Sequence, residues 1–208
     1  HRQRPQHREQ HHAGAPGAGR GPLEVVHVPK YALGPGLPQE LNQEMARTVF
    51  FTATTLDGFI ATPDDSLEWL LSRDSGTGGP ADYGTFIAGV GALCMGATTY
   101  EWVHRASHDA GGDVVEPWAY TQPCWVFTHH ELPVWEGADV RPTAESVTAV
   151  HPAMVAAAGG ADVWVVGGGE LAGQFLDAGL LDEVIVAIAP VTLGAGKPLL
   201  PRHAELRC

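Results

Sequence analysis

Five short runs constrain this chain more than any other feature: RTVFFTATT (47–55), VGALCM (90–95), CWVFT (124–128), DVWVV (162–166) and LDEVIVAIA (181–189). Most are rich in β-branched or aromatic residues. VGALCM and DVWVV are close to continuously apolar, the pattern of a strand covered on both faces. Helix-length segments lie between them. Residues 67–71 follow Asp65 and Ser66, either of which can cap a helix. Residues 82–88 put Tyr83 and Phe86 on one face. A helical turn is expected over 98–103 and a surface loop over 104–121. Residues 146–158 can form a helix that Pro152 interrupts or whose start it delays. Residues 170–178 place Leu171, Phe175 and Leu176 on one side. Strands alternating with helices predict an α/β sheet covered on both faces, its most hydrophobic strands central.

Composition sets bounds on this picture. The chain has 208 residues, 44% of them hydrophobic, enough for one domain with a core and too many for a wholly disordered chain. A net charge of −12 argues against a general nucleic-acid or anionic-membrane surface, while leaving room for a local basic pocket. Three scattered cysteines make neither a disulfide scaffold nor a zinc motif, so a reducing, cytoplasmic setting is expected. No apolar run reaches membrane-span length. Residues 1–44 are rich in His, Pro and Gly, lack periodicity and read as a disordered tail, with the folded domain at 45–208. Within that tail the short run LEVVHVP (23–29) can form a strand or dock on the body. His7, His11 and His12 lack fixed geometry around them, and no metal site is expected.

Three strand breaks carry candidate chemistry. DVWVV runs into Gly167-Gly168-Gly169 and then a helix beginning near Glu170 and Leu171. Backbone amides without Cβ atoms at a helix N-terminus suit a phosphate, although a tight strand–helix turn needs the same residues. This is neither the GxGxxG fingerprint nor a Walker loop. VGALCM repeats the arrangement with Gly96, Ala97, Thr98 and Thr99, whose hydroxyls can cap a helix or bind phosphate. Two such ends in one sheet suit a bound dinucleotide. At the third break, Thr55, Asp57 and Gly58 form either an ordinary turn or a substrate-orienting carboxylate at the sheet mouth. Asp82 is either a helix N-terminal charge or a group that holds a heterocycle or donates a proton. Thr128 and His129 close the CWVFT run and can line a nucleotide pocket, whereas the adjacent pair His129-His130 diverges too much to share a metal. Glu101 and Trp102 read as helix surface and packing. Serine-hydrolase and zinc-deaminase motifs are absent.

Four patches, TATTLDGFIA (52–61), GALCMGATTYE (91–101), VWVVGGGELAGQFLDAGLLDEV (163–184) and APVTLGAGKPLL (189–200), occur in an order that resembles the dihydrofolate reductase-like superfamily. The nearer likeness is to the C-terminal reductase domain of bacterial bifunctional riboflavin-biosynthesis deaminase-reductases. The resemblance implies a three-layer α/β/α fold with a mostly parallel central sheet, here shortened at its C-terminal end. It implies NADPH as cofactor, with Gly167, Gly168, Gly169, Glu170 and Leu171 at the pyrophosphate and Gly96, Ala97, Thr98 and Thr99 at the phosphates. Thr128 and His129 would border the adenosine ribose. Thr55, Asp57 and Gly58 would border substrate and nicotinamide, and Asp82 would match the substrate-binding acid, which makes Asp57 and Asp82 the catalytic candidates. The implied reaction is hydride transfer to a pyrimidine- or pterin-like heterocycle, as in 5-amino-6-(5-phosphoribosylamino)uracil reductase, by a homodimer. Ala97 stands where many relatives carry an Arg that grips the 2′-phosphate, which leaves NADH possible. A catalytically inactive nucleotide-binding or interaction module of the same fold is the alternative.

Overall fold

The computed structural model describes residues 24–29, 46–72, 83–108 and 118–204. Its strands are β1 (Glu24–Pro29), β2 (Thr48–Thr55), β3 (Phe59–Ala61), β4 (Val90–Gly96), β5 (Cys124–Phe127), β6 (Val140–Thr143), β7 (Asp162–Gly167), β8 (Glu183–Ala189) and β9 (Lys197–Pro198). Its helices are α1 (Glu68–Leu71), α2 (Tyr83–Ala88), α3 (Ala97–His108), α4 (Val147–Ala158) and α5 (Gly169–Asp177). Seven strands form one sheet in the order β1-β8-β2-β7-β4-β5-β6, and β3 pairs with β9 in a small second sheet. All neighbours from β8 to β6 run parallel, whereas β1 runs antiparallel along β8. Six residues of the segment read as a tail therefore form an edge strand, and His7, His11 and His12 lie outside the described residues.

Because side chains alternate across a strand, each apolar run feeds two cores. Ala92 and Cys94 of β4, with Phe50, Val163 and Val165, pack under α4 and α5. Leu93 and Met95, with Val126 and Trp164, face the opposite layer, where Tyr100 of α3 and Phe86 of α2 pack. Trp164 anchors that second layer. Its ring meets Phe86 edge-on at 5.5 Å and Tyr83 at 5.9 Å, and its Nε1 donates to the Phe51 carbonyl at 3.1 Å. The predicted three-layer α/β/α arrangement is the one observed, and the central strands β7 and β4 are buried on both faces.

Arg47 straddles two strands, with Nη2 2.6 Å from Asp162 of β7 and Nη1 2.8 Å from Glu183 of β8.

Several boundaries differ from expectation. The N-cap position of α1 is Leu67, with no side-chain cap of its own; Ser66, one residue earlier and in a turn closed on Thr62, accepts from the Glu68 amide at 3.3 Å. α3 runs to His108 rather than ending at a single turn, with His104 of the extension edge-on to the Trp135 ring at 5.2 Å. α4 passes through Pro152 without interruption. Ser146 caps it by accepting from the Ala149 amide, and Gly159 ends it in the left-handed conformation.

Candidate functional site

β4 and β7 are neighbours, with Met95 opposite Gly167. α3 leaves the end of β4 on one face of the sheet, and α5 leaves the end of β7 on the other. The chain travels away from β7 in opposite directions at these two exits, so a crevice opens between them at the carboxyl ends of the strands. A cleft of about 660 Å³ occupies it, inside the range of roughly 300–1,000 Å³ usual for small-molecule sites.

Its central wall comes from the two glycine-marked exits, Gly96, Thr98 and Thr99 from one and Gly167 to Leu171 from the other. They touch: Thr99 Oγ1 lies 3.4 Å from where a Cβ on Gly167 would project. The three glycines are not equivalent. Gly168 is the N-cap of α5, in an extended conformation with no side-chain cap, so the first-turn amides of the helix are left to a ligand or solvent. A Cβ on Gly168, or on Gly96, would meet nothing within 4 Å. Gly169, by contrast, is pressed from behind, because its Cβ would stand 2.3 Å from the carbonyl oxygens of both Pro198 and Leu199. Helix dipole, bare amides and open space together suit an anion such as a diphosphate.

On the β5–β6 side the cleft is lined by Thr128, His129, Thr143 and Glu145. The histidine pair divides. His129 borders the cleft, while His130 turns to Glu101 of α3, its Nε2 2.7 Å from Oε1. Thr128 fixes the bend by accepting from the His130 amide at 3.1 Å. On the opposite side lie Thr52, Ile60, Ala61, Leu67 and Pro198, with Lys197 and Asp65 3.4 Å apart. Glu170 completes the wall, with its carboxylate forked on Arg202, which holds it below the usual carboxylate range.

The cleft thus gathers the predicted cofactor residues, Ala97 excepted. Of the predicted substrate residues, Thr55, Asp57 and Gly58 do not line it. Asp57 is committed elsewhere: it accepts from Thr55 Oγ1 at 2.5 Å, from the Gly194 amide at 2.7 Å and from the Leu193 amide at 3.0 Å. Those bonds, the threonine's foremost, hold it ionised below the usual range. Gly58, at φ +81°, turns its carbonyl to the Leu199 amide at 2.9 Å. Thr55, Asp57 and Gly58 therefore tie down the 191–199 segment, and a carboxylate so engaged is poorly placed to donate a proton. Asp82 lies outside the described residues. Sequence reasoning missed Trp102, Glu145, Lys197 and Asp65. Trp102 was findable, being one helical turn beyond Thr98. The other three reach the cleft only through tertiary folding.

Comparison with known proteins adds independent findings. Residues 114–207 match the RibD C-terminal domain family. The uncharacterized protein YwjB of Bacillus subtilis (strain 168) is 32% identical over 170 residues, covering 77% of this chain and 88% of that protein. A Shewanella sp. PV-4 structure provisionally named for riboflavin biosynthesis superposes with a TM-score of 0.60 at 26% identity, over 77% of this chain and 87% of that one. Acinetobacter baumannii RibD shares the fold, with a TM-score of 0.51 at 20% identity over 78% of this chain, which spans 51% of the RibD chain.

Proposed function

The chain belongs to the RibD C-terminal domain family, and from that premise we propose that it is a nicotinamide-dependent reductase acting on a pyrimidine- or pterin-like heterocycle. The observation that carries the proposal is the meeting of the two glycine-marked exits, Gly96–Thr99 and Gly167–Gly169, in one cleft. In this reading Thr98, Thr99 and the first-turn amides of α5 would hold the diphosphate of a nicotinamide cofactor. The empty Cβ positions of Gly96 and Gly168 are what a close-lying phosphate requires. When bound, the reduced nicotinamide supplies the hydride.

The chain's own residues orient and shield. Thr128 and His129 border the adenosine side, where the His129 ring offers a hydrogen-bonding group that Ala97 does not. Ile60, Ala61, Leu67 and Pro198 form an apolar wall that excludes water from the substrate side. Asp65 and Lys197 there supply an acceptor and a donor that fit the amide and amine edges of a polar heterocycle. The acceptor is a C=N or C=O centre, and its proton comes from water or from an acid brought by the substrate complex.

Titration of the folded protein with NADPH and with NADH, followed by fluorescence or calorimetry, tests the reading. Saturable binding, then substrate-dependent oxidation with a ribitylamino- or ribosylamino-pyrimidine, is the expected result. No binding of either cofactor would remove the proposal. Binding without turnover on any pyrimidine or pterin would leave a nucleotide-binding module.

A further inference from the structure

The wall that would receive the diphosphate carries a charge of the wrong sign. Glu170 occupies the first turn of α5, beside the amides that would hold the ligand, and it lines the cleft. A free carboxylate there would repel a dianion. It is not free. Arg202 reaches it from beyond β9 with two parallel bonds, Nη2 to Oε1 at 2.8 Å and Nη1 to Oε2 at 3.0 Å. The third arm, Nε, binds Asp177 at the other end of α5 at 2.7 Å. The guanidinium thus lies lengthwise along the helix, and the residue beneath its midpoint is Gly173, where a Cβ would come within 2.9 Å of the Arg202 Cζ. The Arg202 side chain is 23% exposed, against 65% for Glu170, so the arginine is the fixed partner and the glutamate the one held.

The chain leading to Arg202 is anchored at every step. β9 pairs with β3, the Leu199 amide donates to the Gly58 carbonyl, and the carbonyls of Pro198 and Leu199 press on Gly169. Residues 197–202 therefore form a strap across the start of α5, and Pro201 reaches the cleft itself.

We infer that Arg202 is a positioning residue for the cofactor: by forking onto Glu170 it neutralises that carboxylate, draws it along the helix and leaves the α5 N-terminus receptive to a diphosphate. This rests on the reductase reading above, deepens its account of the site, and names a residue that does not itself touch the ligand. The same network predicts an asymmetry. Ligands with a diphosphate depend on Arg202, whereas a ligand reaching only the β3–β9 side of the cleft does not.

The test is NADPH and ADP-ribose affinity, measured by calorimetry at low and at raised salt, for the wild type, Glu170→Gln, Arg202→Met and the double variant. Saturable binding by the wild type comes first; its absence would withdraw the reductase reading before any variant is compared. Given that binding, Arg202→Met is expected to weaken both ligands by about three- to tenfold at low salt, and less at high salt, as befits a partly exposed charge. The double variant is expected to recover to within about twofold of the wild type, since the repulsive carboxylate is gone. Glu170→Gln alone keeps the shape of the helix start and is expected to bind about two- to threefold tighter; it keeps the idea testable should Arg202→Met fail to fold. Unchanged affinity in Arg202→Met, a double variant as weak as Arg202→Met, or Glu170→Gln binding no tighter than the wild type would each overturn it.

Discussion

Adjacent glycines in one tripeptide do different work. Gly168 faces open space with φ −84°, a conformation any residue adopts, while Gly169 is pinned against two backbone carbonyls. Gly168→Ala is therefore expected to fold with a stability loss of no more than about 1 kcal/mol, that of a poorer N-cap, yet to bind NADPH at least about tenfold more weakly, because the methyl occupies ligand space. Gly169→Ala is expected to cost roughly 1–3 kcal/mol or more of stability, because the 198–199 backbone must move. Thermal unfolding and cofactor titration on both variants check the pair. The opposite ranking, with Gly169→Ala the milder in folding, would contradict the packing described. Asp57 makes the same point from the other side: in sequence it reads as a turn residue or as a substrate-orienting carboxylate, and in the structure it accepts from three donors and holds a loop.

At the scale of elements, α4 shows how local signals are resolved by their surroundings. Ser146 supplies the cap, and Val147, Val150, Met154 and Ala158 supply a buried stripe. Pro152 removes only the bond that its own amide would have made to the Thr148 carbonyl. The buried stripe outweighs that loss, which is why the helix continues where Pro152 alone predicts a break. Ser146→Ala is expected to lower stability by about 1 kcal/mol without altering the cleft, read as a shift in denaturant midpoint with an unchanged slope. α3 is likewise held by tertiary contacts: Tyr100 is buried and its hydroxyl donates to the Pro133 carbonyl at 2.7 Å, and His104 one turn on meets the Trp135 ring edge-on at 5.2 Å.

For the molecule as a whole, helices on one face meet the sheet at a titratable joint. His151 of α4 lies between the buried Thr48 of β2, with Nε2 2.8 Å from its hydroxyl, and the ring of Phe175 of α5 at 6.1 Å. Burial lowers the His151 pKa below its ordinary 6.5, opposed by the nearby charge of Asp182. The folded state therefore binds fewer protons here than the unfolded chain. Its contribution to stability is complete above the unfolded value and is lost as pH falls through the folded one. Urea unfolding of the wild type is expected to show stability declining from neutrality toward pH 5, and His151→Gln is expected to flatten that decline. An equal slope in both proteins would place the sensitivity elsewhere.

How much of this was legible beforehand depends on the range of the forces involved. Runs such as DVWVV and VGALCM announce buried parallel strands because burial on both faces selects apolar residues at every position, and strand–glycine–helix exits announce themselves because backbone geometry there admits few side chains. The sequence thus determined the α/β class, the order of the main parallel strands and the two glycine-marked exits. Only the tertiary structure decided what lies around them. Lys197 sits beside Asp65, Arg202 reaches back to Glu170, and Asp57 points away to a distant loop because β9 and the strap return across the sheet. Such pairings join residues far apart in the chain through charge and hydrogen bonding, which leave no periodic trace in sequence and appear only once packing has fixed where each backbone lies.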